Sequence, residues 1–340
     1  MSKTIFNIIQ SNTTGGGMEN IFLDYSQILK QNHNLIAVVS KDFIHLEALR
    51  KAGITVEILD IKGHFDFMAA FKLRSLIKKY SPELIIAHNG RGFAAINLAR
   101  KFGGFKKIKL LAVSHGGSVK RILKFDYIIA VARHIEDKIR AENFKGKVRT
   151  IYNGIKIVSY QKPSRAGQGF NFGILSRLSA EKNIEIAIHA FKKFSVRNSH
   201  LIIAGEGSEL DNLKKLSGNN PNIKFTGWVN NKRNFFDQIN IFLQPSSNEP
   251  FGLTILEAFN YQTPVIAANT NGPKEIIKPE LTGYLFAKGS VDSLHKTMEN
   301  CYQNRSRLKK ITEEAYRDLV NNFSYEKMEK ELISFINDIV

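Results

Sequence analysis

Short apolar runs and longer amphipathic stretches take turns through almost the whole chain. The runs at Thr4–Gln10, Leu35–Ser40, Val56–Leu59, Leu84–Ala87, Ile108–Val113 and Tyr127–Val131 read as strands. Between them apolar residues recur at helical spacing. In Met18–Lys30, for example, Met18, Ile21, Phe22, Tyr25, Ile28 and Leu29 share one face. Strand–helix alternation of this kind predicts a parallel, doubly wound sheet. The alternation pauses at Ser159–Gly169, a polar stretch with one proline and two glycines, as a linker should be. It restarts with strand candidates Phe170–Leu175, His200–Ala204, Ile223–Thr226, Ile239–Leu243 and Pro264–Ala268, and the last stretch, Ser290–Val340, reads as almost wholly helical. The expectation is an α/β protein of two open domains joined near the middle. Ligands of such sheets sit at the carboxyl ends of the strands, so two facing domains predict a site in the cleft between them.

The length of 340 residues agrees with two domains. A single cysteine, Cys301, excludes an intramolecular disulfide framework and a cysteine-based zinc cluster, and fits a reducing compartment. Asn7 and Gln10 interrupt the first apolar run and Gly15–Gly17 follows at once, which favours a first strand over a secretory signal. No apolar stretch approaches the roughly 20 residues of a membrane-spanning helix, so a soluble or surface-bound protein is expected. The net charge of +18 is uneven: residues 1–160 carry 26 basic and 12 acidic side chains. That asymmetry suggests an anionic partner for the first half, and the plainer alternative is a lysine-rich surface of solvated helix faces.

Candidate chemistry clusters just after strands. Gly15-Gly16-Gly17 stands between the first strand and the first helix, where backbone can approach an anion. It is not a Gly-x-Gly-x-x-Gly fingerprint, and the second strand ends Val38-Val39-Ser40-Lys41 without an acidic residue, which argues against a nicotinamide enzyme. Arg177 leaves a strand and Lys182 follows five residues later, a pair able to clamp a diphosphate. The strongest segment is Glu249-Pro250-Phe251-Gly252-Leu253-Thr254-Ile255-Leu256-Glu257, a carboxylate in the loop before an apolar helix and a second about two turns along it. Free amides at Phe251–Leu253 and a carboxylate able to accept from two vicinal hydroxyls suit a nucleotide ligand.

With Thr263-Pro264-Val265, Gly272-Pro273-Lys274-Glu275, Gly205-Glu206-Gly207, Phe225-Thr226-Gly227-Trp228-Val229 and Thr282-Gly283-Tyr284, these residues give a chain that resembles the retaining, nucleotide-sugar-dependent glycosyltransferases of family four over essentially its whole length. The resemblance implies the GT-B fold: an acceptor-side Rossmann-like domain over residues 1–160, a nucleotide-sugar-binding one over 161–322, and a C-terminal helix, 323–340, returning to the first. It implies that Arg177, Lys182, Gly16 and Gly17 bind the donor diphosphate. Glu249, Phe251, Gly252, Leu253 and Glu257 would hold the sugar and ribose, and Trp228 and Val229 would lie near the base. His115 and Glu249 are the implied catalytic residues. Asn153-Gly154-Ile155 matches the family's junction turn, with Lys156 in place of its usual Asp. The implied reaction proceeds without a covalent nucleophile, the leaving phosphate assisting deprotonation of the acceptor. No Asp-x-Asp occurs, so no metal and no cofactor are expected, with a UDP-sugar as donor substrate.

His88-Asn89-Gly90-Arg91 follows the fourth strand, and His88, Asn89 and Arg91 are read as acceptor-side; a capped helix start is the alternative. The competing enzyme is a nucleotide-sugar epimerase of the same fold. The competing non-enzyme is an anionic-ligand or nucleic-acid-binding protein, and no zinc-finger or aromatic RNA-binding motif supports it. The basic stretches Phe67–Tyr80 and Lys101–Lys109 suggest peripheral binding to the inner face of the cytoplasmic membrane and a glycan or lipid-linked acceptor of the lipopolysaccharide type. A sheet-covering helix needs its apolar face, so the second stretch is the better docking candidate.

Overall fold

The computed structural model describes residues 2–11, 15–105, 107–163 and 169–340. Lys106 of the expected docking stretch and residues 164–168 of the expected linker lie outside them. The chain divides into two compact units, Met1–Asn153 with Glu326–Val340, and Gly154–Tyr325.

The first unit runs β1 (Thr4–Ile8), α1 (Gly17–Lys30), β2 (Asn34–Val39), α2 (Leu46–Lys51), β3 (Thr55–Ile58), α3 (Phe67–Tyr80), β4 (Leu84–Ala87), α4 (Gly90–Arg100), β5 (Lys109–Ser114), β6 (Tyr127–Ala130), α5 (Arg133–Ala141) and β7 (Lys147–Thr150). Its seven strands are parallel in the order β3-β2-β1-β4-β5-β6-β7. The second unit runs β8 (Phe172–Leu175), α6 (Ile184–Lys193), β9 (Leu201–Ala204), α7 (Leu210–Ser217), β10 (Ile223–Gly227), α8 (Lys232–Asp237), β11 (Ile241–Gln244), α9 (Leu253–Asn260), β12 (Val265–Ala268), α10 (Asn271–Ile276), β13 (Tyr284–Phe286), α11 (Val291–Gln303) and α12 (Leu308–Asn322). Its six parallel strands are ordered β10-β9-β8-β11-β12-β13. The helix α13 (Tyr325–Ile339) closes the chain.

The expected apolar runs became the central strands, which are buried almost throughout. Two strands escaped that pattern. Lys147–Thr150 and Tyr284–Phe286 are edge strands, paired on one side only, so the first could carry Lys147 and Arg149 and the second is only three residues long. Capping follows local chemistry: the Asp66 carboxylate accepts from Ala69 N at 2.9 Å at the start of α3, and Ser290 caps α11 at 3.1 Å. In the second unit Phe172, Phe191, Phe194, Ile241 and Leu243 belong to one continuous core.

Helix α13 belongs with the first unit. Met328, Leu332, Phe335, Ile336 and Ile339 are buried, the Phe335 ring meets Tyr127 edge-on at 6.5 Å, and Lys147 pairs with Asp338 at 3.1 Å. The division at Asn153 falls earlier than the expected 160, because the segment after it is bonded into the second unit. Ile155 bridges Ser324, and the Val158 amide donates to Asn260 Oδ1 at 3.1 Å. Among the described residues no helix is long and apolar enough to cross a membrane.

In each sheet the winding reverses between two central strands, β1 and β4 in the first and β8 and β11 in the second. Loops leaving such a pair diverge and open a crevice at the strands' carboxyl ends. Most of the residues singled out from the sequence lie on these loops.

Candidate active site

In the second unit the loop after β8 carries Arg177 and Lys182, and the loop after β11 carries Glu249. The two loops are tied together: the Ser247 amide donates to the Glu181 carbonyl at 3.0 Å. Lys182 Nζ lies 2.9 Å from Glu249 Oε2, with both side chains largely withdrawn from solvent at 18% and 13% exposure. Gln244, the last residue of β11, donates through its side-chain amide to the same oxygen at 2.8 Å, and the Thr254 hydroxyl on α9 donates to Gln244 Oε1 at 3.0 Å. Arg177 is more exposed and reaches Glu181 at 3.8 Å. The Ser179 hydroxyl, then Glu181's own amide and the Arg177 and Lys182 charges, hold the Glu181 carboxyl below its usual range.

Helix α9 starts at this carboxylate. Gly252 precedes it with φ +116°, left-handed backbone that disfavours any side chain. Gly272 packs on the same loop, its amide donating to the Glu249 carbonyl at 3.1 Å. A Cβ there would collide with that carbonyl and meet the Phe251 carbonyl at 2.5 Å. The Phe251 side chain is buried against Phe323, ring centroids 6.1 Å apart, so a ligand meets backbone rather than ring. The first amides of α9 have no intrahelical acceptors and carry the positive end of the helix dipole.

Further along α9, Glu257 Oε1 is bonded to Lys232 Nζ at 2.6 Å, while Oε2 is buried and has no hydrogen-bond partner. An unsatisfied buried acceptor costs about 1–3 kcal/mol, and a ligand hydroxyl would satisfy it. Trp228, half exposed, stands in the loop between β10 and α8, the helix that Lys232 opens; its indole N–H donates to Asn230 Oδ1 at 3.0 Å. Val229 follows, partly buried. The second unit therefore gathers Arg177, Lys182, Glu249, the Phe251–Leu253 backbone and Glu257 around two carboxyl-end loops and one helix. Lys232, Gln244 and Thr254 were not anticipated. Gln244 did leave a signal, a polar residue closing an apolar strand; Lys232 left none.

In the first unit Gly16 does not offer its amide to an outside ligand in this conformation: it donates to Glu19 Oε2 at 3.0 Å, while the Ser11 hydroxyl binds the other oxygen at 2.7 Å. Gly17 opens α1. His88 differs from its reading as an acceptor contact. It is 1% exposed and both ring nitrogens are engaged, Nε2 with Asn7 Oδ1 at 2.9 Å and Nδ1 with His115 Nε2 at 3.2 Å. Asn89 caps α4 through Gly92 N at 3.2 Å and donates to the Gln10 carbonyl at 2.5 Å, the capped-helix alternative. Arg91 lies in the first turn of α4, partly buried. His115, just after β5, is partly buried, and desolvation pushes its ring down to about 4.

In the same unit a cavity of about 490 Å³ is lined by Phe65, Lys101, Lys120, Arg121 and Lys124 among others, with no carboxylate among the described residues of its walls. Beside it Phe65, Phe67, Met68 and Phe71 are 82%, 53%, 84% and 52% exposed, and Phe102 packs on Phe71 at 4.8 Å. The expectation placed docking mainly on Lys101–Lys109. Helix α3 buries Ala69, Ala70, Leu73, Leu76 and Ile77 and leaves Phe67, Met68 and Phe71 largely exposed.

Known proteins resemble the chain in both units. The family described as Glycosyltransferase Family 4 matches residues 15–158, and Glycosyl transferases group 1 matches residues 160–318. The lipopolysaccharide core biosynthesis glycosyltransferase LpsE of Rhizobium meliloti is 24% identical over 269 residues, 75% of this chain and 76% of that protein. The O-antigen biosynthesis glycosyltransferase WbnH of Escherichia coli is 28% identical over 286 residues, 77% and 80%. Anabaena HepE, solved in complex with UDP and glucose, superposes with a TM-score of 0.83 at 21% identity, covering 99% of this chain and 100% of that one. With both units matched, the chain belongs to the family-four, GT-B glycosyltransferases and is a glycosyltransferase enzyme.

Proposed function

We propose that the second unit binds a nucleoside-diphosphate sugar, expected to be a UDP-sugar. The enzyme then transfers the sugar with retention and without a metal to a cell-envelope glycan or glycolipid of the lipopolysaccharide type. The observation that carries the donor reading is the Glu257 carboxylate, one oxygen fixed by Lys232 and the other buried and unsatisfied, two turns along a helix whose start faces the Lys182–Glu249 pair. A ribose hydroxyl supplies the missing donor. The diphosphate takes over Lys182 and Arg177, which releases Glu249 Oε2 toward a hydroxyl of the sugar. As the nucleoside diphosphate departs it gains negative charge, and two cations with the α9 amides offset it in place. His115 acts on the sugar as a neutral imidazole, since burial keeps the ring unprotonated near pH 7. Metal-free chemistry rests on this cationic set and on the lack of an Asp-x-Asp motif; full turnover in excess EDTA is expected, and an absolute need for Mg²⁺ or Mn²⁺ contradicts it.

The acceptor reading draws on the names of LpsE and WbnH. The membrane reading draws on the exposed aromatics of the first unit beside a cavity lined by cations. Each basic side chain near an anionic bilayer is worth about 1 kcal/mol, and apolar residues at the same face add insertion. A thermal-shift and hydrolysis screen over UDP-, GDP- and ADP-sugars tests the donor reading: stabilisation and slow hydrolysis with one nucleotide class are expected, and no response to any of them contradicts it.

A further inference from the structure

Three adjacent strands of the first sheet, β1, β4 and β5, bring Asn7, His88 and His115 into one hydrogen-bonded line. Its direction follows from the far end. The Phe22 carbonyl can only accept. It receives the Ser26 hydroxyl at 2.8 Å and lies 3.5 Å from Asn7 Nδ2, which also donates to Ser26 Oγ at 2.9 Å. Asn7 therefore turns its amide nitrogen toward α1 and its carbonyl oxygen toward His88, so His88 Nε2 carries a proton. The His88 ring is enclosed by the edges of Phe22 and Tyr25, each at 5.3 Å, and desolvation followed by the neighbouring His115 holds it well below the ordinary histidine range. A neutral imidazole has one N–H. With Nε2 protonated, His88 Nδ1 is an acceptor, and His115 Nε2 must donate to it.

We propose that Asn7 and His88 are positioning residues that hold His115 in its Nε2–H form, leaving Nδ1 as an obligate acceptor for a sugar hydroxyl. The second half of this statement rests on the proposed role of His115; the first half does not. The logic is that of any acid–base residue whose tautomer is set by the group behind it. Asn7 serves this purpose from inside an otherwise apolar strand, where an amide has no packing advantage.

The test is long-range ¹H–¹⁵N correlation on the full chain with ¹⁵N-labelled histidine, His115 being assigned by the signals lost in His115→Gln. The expected wild-type spectrum shows an unprotonated Nδ1 and a protonated Nε2 for both His88 and His115. Asn7→Leu removes the acceptor and should give averaged tautomers at both rings, with kcat lowered about 10- to 100-fold and the donor KM within about twofold. A protonated or averaged His115 Nδ1 in the wild type overturns the proposal. So does an unchanged kcat in Asn7→Leu once its tautomers are mixed. The spectra are read on the resting protein, so a failure to find any donor would fall on the proposed function and not on the tautomer assignment.

Discussion

Single residues carry the sharpest consequences. Lys182→Ala removes one of two cations from the leaving group and is expected to lower kcat about 100- to 1000-fold, the scale of losing one preorganised charge-stabilising contact. The fold should survive, because among the described residues that ammonium is bonded to Glu249 alone, on a loop; near-wild-type turnover in the purified variant contradicts the assignment. A second consequence is pH-dependent stability. The unfolded His115 titrates near 6.5 and the folded ring near 4, so between these values the unfolded chain binds the extra proton. Stability is therefore full above about pH 6.5 and falls as pH drops toward 4, by an amount on the order of a few kcal/mol at most. Urea midpoints at pH 7 and pH 5 check this: His115→Gln should narrow the difference between them, and an unaltered difference contradicts it. At this scale the sequence revealed residue types better than contacts. Arg177, Lys182, Glu249 and Glu257 stood out by motif, whereas Asn7 looked only like an interruption in a strand. Lys232 looked like one of 49 basic residues.

Elements were readable where burial enforces a rhythm. Central strands must be apolar, so their positions showed in the chain; β7 and β13 did not, since an edge strand can carry Lys147 and Arg149 or stop after three residues. Helix α3 shows the limit of an amphipathic reading. Its core face is built from Ala69, Ala70, Leu73, Leu76 and Ile77, so Phe67 and Phe71 are surplus to that packing and stand largely in solvent. Phe67→Ser with Met68→Ser should leave the melting temperature within about 1–2 °C, as exposed positions away from packing usually do, and should reduce co-sedimentation with anionic vesicles. Equal pelleting of wild type and variant, or equal wild-type binding to neutral vesicles, removes the membrane reading and leaves a soluble acceptor. The Glu249 loop gives a matching prediction: Gly272→Ala drives a methyl into the Glu249 and Phe251 carbonyls and should cost about 1–3 kcal/mol by overpacking, with donor affinity falling in parallel. Unchanged stability and affinity would mean that the loop relaxes freely.

For the molecule as a whole, two parallel sheets with reversed winding at β1/β4 and β8/β11 place chemistry on the loops that diverge there. The sequence conveyed that arrangement through strand–helix alternation and through motifs lying just after strands. It did not convey that the segment from Gly154 is bonded into the second unit, because that depends on partners distant in the chain; the family resemblance did imply a last helix returning to the first unit, and Glu326–Val340 joins it. The account stands on Glu257 Oε2 awaiting a ribose hydroxyl. The most direct test is calorimetric titration of the preferred nucleoside diphosphate and its 2′,3′-dideoxy analogue into the wild type and Glu257→Gln. The account predicts that the wild type loses about 10- to 100-fold in affinity with the dideoxy analogue, the scale of one unsatisfied buried acceptor, and that Glu257→Gln binds both weakly and nearly alike. Undiminished discrimination in Glu257→Gln, or none in the wild type, would contradict it.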